Sequence, residues 1–328
     1  MEKFIEIDLQ LFAEVMTTNE LSAEMKTFYD MTLIDEASAA LVHDQFGQKR
    51  PIPAGGGKVI EFRKFDSLPK ALTPLTEGVT PAGKRMEVST VTAEVSQYGD
   101  FISQSDMLEL TAVDNTIVEA AKLLGRQAGA TLDTVVRNVL HAGTNVTYCP
   151  KVENGVETEI TSRGDLGKGC QLTVDVVHQV AAKLRAQNAP TVGGKYIAII
   201  HPYVAYDLMR DPEWIDAYKY ANPKNLYEGE IGEIAGVRFV QTTEAMVYEG
   251  GVFGTLFFGD GAYGVTEITG GGLQTIVKQK GSAGSADPLD QRSSVGWKAV
   301  KTAQILIPNY LVRVESWSDR FSETAAAN

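Results

Sequence analysis

Three glycines in one segment have the spacing of a dinucleotide-binding turn. Gly259, Gly261 and Gly264 match G-x-G-x-x-G after a strand-like run. In a dinucleotide site this turn leads into a helix, whose first backbone N–H groups bind the pyrophosphate. The residues that follow, 265–272, instead have the pattern of a strand and a second glycine turn. The spacing therefore predicts a tight turn between strands and no bound cofactor.

Two glycine-lysine runs share only part of the phosphate-loop pattern. The runs at 55–58 and 193–195 end in Gly-Lys. Each lacks the earlier glycine five residues before that pair and the Ser or Thr that follows the lysine, which together bind phosphate and magnesium. Both runs are predicted to be turns that open strands.

Metal ligands and nucleophiles are scattered along the chain. Cys149 and Cys170 lie too far apart in sequence for a local metal clip, and two thiols do not make a disulfide framework, which favours a reducing folding compartment. No H-E-x-x-H or G-x-S-x-G motif occurs. The four histidines are His43, His141, His178 and His201. We predict no metal site and no catalytic nucleophile.

Acidic and aromatic residues are concentrated between positions 203 and 227. The acids at 207, 211, 213 and 216 have the side chains for a cation site, but a solvated helix face and turn is the favoured interpretation. The aromatic residues, interleaved with Lys219 and Lys224, have the composition of a single-stranded nucleic-acid surface. A core edge or a subunit contact is favoured. An enzyme with an unrecognised site remains a remote alternative.

The composition is that of a soluble globular protein. The chain has 328 residues, 44% of them hydrophobic, and a formal net charge of -12. A protein this acidic repels phosphate and does not bind nucleic acid by bulk charge. The N-terminus has acids within its apolar run, unlike a signal peptide, and no run approaches the roughly 20 apolar residues that span a bilayer. We expect no membrane partner.

Charge is distributed unevenly between two neighbouring segments. Residues 1–36 contain nine acidic and two basic residues, a net charge of -7, with apolar residues in no sustained period. Two alternating runs at 58–65 and 86–97 predict a β-hairpin. Residues 63–85, which include its Pro-rich connection, have a net charge of +3. An acidic arm and a basic hairpin, both too elongated to bury their own apolar side chains, predict contacts with other copies of the chain.

The rest of the chain alternates between helical and strand patterns without repeats, which predicts an α+β fold. A long helix is expected from 114 to 141, with Thr116 and Glu119 as a capping box and Gly125 and Gly129 permitting a bend or a close crossing. A second helix is expected at 173–187, a buried strand at 195–201, a short helix from Pro202, and strands at 236–242, 254–258, 273–279 and 299–315.

An ordered set of short segments carries a resemblance to a known family. They are Ile7 to Glu14, Leu75-Thr76-Glu77-Gly78, Ile200-His201-Pro202, Gly236 to Val240, Phe258-Gly259-Asp260 and Gly296-Trp297-Lys298-Ala299. In this order they resemble the major capsid proteins of tailed bacteriophages, in particular the coliphage N-four-type family. That family has the Hong Kong phage-type (Johnson) fold.

The resemblance implies a division of the chain into five parts. These are an N-terminal arm at 1–45, an extended β-hairpin loop at 46–100, a peripheral domain with a long spine helix at 101–172, an axial domain at 173–269 and return strands of the peripheral domain at 270–328. The final strand, which contains Ile305 and Val314, is expected to return to the peripheral sheet.

The implied function is structural and not enzymatic. The protein is expected to assemble with itself, as hexamers and pentamers, into the icosahedral head shell of the virion, in the host cytoplasm. Scaffolding and portal proteins are the expected partners, and the shell encloses double-stranded DNA without sequence-specific binding. An encapsulin-like cellular compartment is the nearest alternative, and a tail or baseplate component another. The predicted inter-subunit contacts are Phe4, Leu11, Phe12, Arg63, Lys64, Lys70, Lys84 and Arg85.

Overall fold

The computed structural model describes most of the chain from residue 31 onward. The described residues are 31–328 apart from 38–40, 54, 56, 66–67, 69, 75–76, 79, 81–82, 87, 112–115, 154, 222–231, 267–270 and 283–286. Residues 31–37 are helical. The further helices are α1 (Asp106–Thr111), α2 (Thr116–His141), α3 (Val174–Ala186), α4 (Pro202–Met209) and α5 (Pro212–Ala221), with short 3-10 turns at Arg163–Asp165 and Pro308–Tyr310.

The strands form two larger sheets and two separate hairpins. In chain order they are β1 (Gln48–Lys49), β2 (Val59–Phe65), β3 (Val88–Glu94), β4 (Ser96–Ser105), β5 (Val146–Tyr148), β6 (Lys151–Glu153), β7 (Val156–Thr158), β8 (Tyr196–Ile200), β9 (Glu233–Ile234), β10 (Val237–Gln241), β11 (Val247–Tyr248), β12 (Val252–Phe258), β13 (Tyr263–Thr266), β14 (Gln274–Lys278), β15 (Arg292–Ile305) and β16 (Leu311–Trp317). The mixture of helices and sheets confirms the predicted α+β class.

The first sheet is built around the long strand β15. Its first part pairs antiparallel with β4 and with β14, and its last residues pair with β13. Strand β1 adds to β13 in parallel. This single 14-residue strand thus pairs with segments far away in sequence, as where Lys301 pairs with Ser96 of β4.

The second sheet has the strand order β5-β16-β12-β8-β10-β9, with β11 paired to β12. Its central strands are apolar throughout: every residue of β8 and of β12 is buried. Helices α3 and α4 supply Val177, Leu184 and Leu208 to the core against one face of this sheet. Continuous apolar strands are expected where both faces of a sheet are covered.

Helix α2 connects the two sheets because its buried stripe contributes to two cores. Leu124 and Leu132 pack with Trp297 of β15. One and two turns further along, Val136 and Leu140 pack against the core of β8 and β12. The predicted capping box is wrong: Thr116 is the first helical residue, and its hydroxyl donates to the Gln104 side chain at 2.9 Å. A contact to β4 replaces the local cap.

Gly125 of α2 allows a close helix crossing. A Cβ atom at this position would lie 2.8 Å from the backbone oxygen of Leu33 and 3.0 Å from Cβ of Glu36, both in the 31–37 helix. Next to this point Arg126 Nε donates to Glu36 at 2.9 Å, and this hydrogen bond lowers the pKa of the Glu36 carboxyl. Gly125 and Gly129 were expected to permit a bend or a close crossing, and Gly125 permits a close crossing.

The predicted single strand at 299–315 is two strands that belong to different sheets. Pro308 opens the 3-10 turn Pro308–Tyr310, and proline lacks the N–H that a continuous ladder requires. Strand β15 remains with β4, but β16 pairs with β12 over seven residues. The final strand therefore does not return to the sheet of β4, and β13, expected in the axial part, pairs with β15.

Within the described residues, no helix has the length and apolarity needed to cross a membrane.

Candidate assembly surfaces

The hairpin of β2 and β3 leaves the body of the protein. Its strands pair in register from Val59–Glu94 to Phe65–Val88 and form a separate two-stranded sheet. At its base Phe62 is buried, and its ring contacts Gly264 of β13. An isolated two-stranded hairpin is only marginally stable in water, so the remainder of this one needs another surface.

The outer part of the hairpin exposes large apolar side chains. The exposed fractions are 59% for Leu68, 82% for Leu72, 66% for Met86 and 46% for Val88. Single exposed apolar residues are ordinary, but several on one projecting element indicate a contact surface. Contact with a second molecule would remove the apolar area of these side chains from water.

The structure places some of the predicted contact residues and not others. Arg63, Lys70, Lys84 and Arg85 are exposed on the hairpin. Lys64 lies in β2, and its side chain is outside the described residues, as are Phe4, Leu11 and Phe12 in full. The arm and the hairpin are therefore not seen together, and their contact remains a prediction.

The angle of the hairpin should depend on Gly264. A Cβ there would lie 2.6 Å from Phe62 Cε1, so the Gly264→Ala chain must displace the Phe62 ring. We expect a loss of about 1–3 kcal/mol in unfolding free energy, as for other overpacked sites. The yield of assembled particles should also fall, because the displaced Phe62 ring changes the angle of the hairpin. Urea denaturation and sedimentation measure the two effects. Gly261→Ala is the comparison, since no atom lies within 4 Å of its added Cβ, although its positive φ adds some strain.

The junction between arm and body is fixed by a buried carboxylate. Asp133 of α2 accepts backbone N–H donors from Val42 and His43 at 2.8 and 2.7 Å, and its second oxygen lies 2.6 Å from His43 Nδ1. Both side chains are fully buried. The Tyr263 hydroxyl donates to the His43 carbonyl at 2.5 Å. Helix α2 and strand β13 together hold residues 42 and 43 in place, and so fix the end of the arm that joins the body. Sequence spacing gives no signal for a pair 90 residues apart.

A second buried cluster joins β16 to the loop around residue 163. Both oxygens of Glu315 accept from Arg163, with Nε and Nη2 each at 2.6 Å. Arg313 Nε lies 2.9 Å from Glu315, and the Arg163 guanidinium stacks 3.6 Å from the centre of the Tyr248 ring. Glu315 is fully buried. A bidentate, stacked arginine of this kind fixes geometry more strongly than a lysine.

His141, at the end of α2, lies beside this cluster. Its Nδ1 is 2.9 Å from the Tyr248 hydroxyl, and its ring occupies the space that a Cβ on Gly254 would need. Burial lowers the pKa of His141 well below its ordinary value, and the nearby His43, Arg313, Arg137 and Arg163 lower it further. The imidazole is therefore neutral in the folded protein at neutral pH.

Acid should destabilise the protein through His141. Because the folded-state pKa is depressed, the unfolded state binds more protons below pH 6.5, so stability is lost as the pH falls through that value. One such group contributes a slope of up to about 1.4 kcal/mol per pH unit. We expect His141→Gln to have a flatter stability profile than the native protein between pH 7 and 5, measured by urea denaturation. Equal slopes in the two proteins would contradict this role.

The residues with possible chemistry have structural roles. Asp211 accepts from the backbone N–H of Val174 at 2.9 Å and of Glu213 at 3.0 Å, and so caps α3 and α5. Gly259 and Gly261 form the turn between β12 and β13, as predicted, and Gly259 lies against the Pro190 carbonyl. Cys149 and Cys170 are buried free thiols in one core, and burial raises the pKa of Cys149.

A protein-family model matches the middle of the chain. Residues 102–260, nearly half of the chain, match the family model described as phage capsid protein. This match supports a phage capsid role for the chain. The match runs from β4 through the turn after β12, which includes α2 and most of the second sheet. It supports a shell-forming and non-enzymatic role. Comparison with curated protein sequences gives no match.

Solved structures show that the chain has the Hong Kong phage-type fold. The capsid of Ralstonia phage GP4 is 14% identical, with 97% of this chain and 98% of that chain covered and a TM-score of 0.62. The capsid of cyanophage Pam1 is 10% identical, with 87% and 92% covered and a TM-score of 0.64. A virus-like particle from Pyrococcus furiosus is 11% identical, with 89% and 99% covered and a TM-score of 0.52. The N-four-type subdivision stays a prediction.

Proposed function

We propose that this capsid protein is the major head protein of a tailed phage, and that hexamers and pentamers of it form a closed icosahedral shell around packaged double-stranded DNA. The observation that carries the proposal is the hairpin of β2 and β3. It projects from the body with Leu68, Leu72 and Met86 exposed. In a shell each hairpin covers its apolar side chains on a neighbouring copy, and each such contact buries at least about 1,200 Å².

The five-part division also becomes part of this proposal with two changes, since β16 joins the axial part and β13 joins the peripheral part. The sheet of β4, β14 and β15 and the N-terminal half of α2 form the peripheral part, and the sheet of β8, β12 and β16 forms the axial part. Residues 42 and 43, held by Asp133, attach the arm to the body, and the 31–37 helix of the arm packs against α2 at Gly125. Assembly takes place in the host cytoplasm, with scaffolding and portal proteins as partners.

The acidic arm and the basic hairpin meet across subunits in this proposal. The arm, residues 1–36, has a net charge of -7, and the hairpin segment 63–85 has a net charge of +3. Complementary charges favour the correct partner and disfavour contacts between two arms or two hairpins. The net charge of -12 keeps the shell from adhering to the DNA that it encloses.

Electron microscopy of the purified protein tests the proposal. Closed icosahedral shells are expected under assembly conditions. Small discrete oligomers that persist under these conditions would overturn it, and rings or tubes would indicate a tail component. An encapsulin-like compartment is less favoured, because the family match is to phage capsid proteins. Shells from infected cells are expected to contain nuclease-protected DNA, whereas a cellular compartment would contain protein cargo.

A further inference from the structure

A small basic pocket lies between β1, β13 and β15. Its volume is about 240 Å³, and its polar lining consists of Asp44, Lys49, Arg50, Thr266 and Lys301. The pocket begins one residue along β13 from Gly264, which contacts the base of the hairpin. No step of shell formation described above uses these side chains.

Backbone pairing holds the two rim cations in place. Lys49 of β1 pairs in parallel with Val265 of β13, and the backbone N–H of Arg50 donates to the Val265 carbonyl at 3.1 Å. Two consecutive basic residues are thus attached to the strand that forms the pocket wall. The sheet therefore fixes the backbone of both residues beside the pocket.

The pocket contains more positive charge than its own acid neutralises. Lys301, with 8% of the residue exposed, places Nζ 2.7 Å from Asp44 Oδ1. Lys49 Nζ is 3.8 Å from Asp44 Oδ2. One carboxylate therefore faces three cations, and among the described residues no carboxylate pairs with Arg50. This local excess of +2 stands out in a chain whose net charge is -12.

Thr266 provides an independent indication of a ligand. Only 1% of this residue is exposed, and Thr266 is one of the residues that line the pocket. Within the described residues the hydroxyl oxygen has no hydrogen-bond partner. A buried hydroxyl without a partner costs stability, and a ligand that accepts its hydrogen bond would remove this cost.

We propose that this pocket binds one phosphate-sized oxyanion. Arg50 and Lys49 donate charge-assisted hydrogen bonds from the rim, the Thr266 hydroxyl donates from the wall, and Lys301 adds positive charge behind it. Free inorganic phosphate and a phosphodiester of nucleic acid have the same recognisable chemistry. The ligand would connect β1 to β13, next to the base of the hairpin.

Binding of inorganic phosphate to the unassembled full-length chain tests the proposal. Sodium phosphate should raise the melting temperature saturably, beyond sodium chloride of equal ionic strength, and calorimetry gives the dissociation constant. Thr266→Val should weaken phosphate binding about tenfold, since one hydrogen bond is lost. Without phosphate it should be at least as stable as the native chain, because it replaces an unpaired buried hydroxyl with a methyl group. The double variant Lys49→Gln and Arg50→Gln should lose binding.

A matched control and a competition experiment complete the test. Lys298→Gln removes one exposed cation from the same strand as Lys301 and should leave phosphate binding unchanged. A native response to phosphate no larger than to chloride would overturn the proposal, and so would an equal response in the Thr266→Val and double variants. If a short DNA duplex competes with phosphate and the double variant loses this competition, the source is the phosphodiester. If DNA does not compete, the ligand is free phosphate.

Discussion

Reversing the charge of four cations on the hairpin is expected to abolish closed shells while the chain still folds. The four residues are Lys64, Lys70, Lys84 and Arg85. Each reversal changes the net charge by two, from -12 to -20 in total. The hairpin then repels the acidic arm that it is proposed to contact. Arg85, Lys70 and Lys84 are exposed, so we expect a change of less than about 1 kcal/mol per site in unfolding free energy.

Sedimentation velocity and negative-stain microscopy measure this loss of assembly. The sharpest control restores complementarity: acids of the arm, such as Glu2, Glu6, Asp8 and Glu14, are changed to lysine in the same chain. Shells should return in the charge-swapped variant if arm and hairpin meet. Assembly of native protein should also weaken with salt, because exposed charges are screened. Normal particles from the hairpin variant alone would refute the pairing.

Replacing Asp133 with alanine is expected to cost about 3–5 kcal/mol of unfolding free energy, because three polar groups lose a fully buried hydrogen-bonding partner at once. The variant leaves the His43 ring and the backbone N–H groups of Val42 and His43 without their partner, and the two His43 groups are fully buried. Urea denaturation gives the magnitude. The junction should also open locally, so limited proteolysis should cleave the variant faster between residues 31 and 46.

A surface aspartate serves as the comparison for Asp133. Asp175 is exposed in the first turn of α3 and accepts from the Gln179 side chain within the same helix. Its change to alanine should cost less than about 1 kcal/mol, since surface pairs and helix-end charges contribute little. Equal effects of the two substitutions would show that Asp133 does not anchor the junction.

Local patterns predicted most elements of this fold well. The hairpin, helix α2, helix α3 and strand β8 lie within a few residues of their predicted bounds, and α4 begins at Pro202 as expected. These segments have strong periodicity or residues such as Pro202 that act on their own backbone. The Gly259 turn was predictable for the same reason, since no helix pattern follows it.

Local sequence patterns predicted the structure less well where contacts between distant residues determine it. Thr116 has the spacing of a capping box, yet its hydroxyl bonds to Gln104 of β4, because a buried side-chain partner satisfies both groups. The apolar run 299–315 has the pattern of one strand in one sheet. Pro308 divides it, and the second part, β16, pairs with β12 in the other sheet. An alternating pattern shows that a strand is half-buried and does not show which sheet it joins.

The amino-acid sequence by itself determined the α+β class, the projecting basic hairpin, the acidic arm and the resemblance to phage capsid proteins, because these depend on composition, local spacing and the order of short segments. The tertiary structure alone decided that Asp133 holds His43, that Glu315 pairs with Arg163, and that Thr266 and Lys301 face one pocket. Each of these contacts joins residues that are far apart in the chain. Their pairing depends on which polar groups are buried together, and no local pattern contains that information.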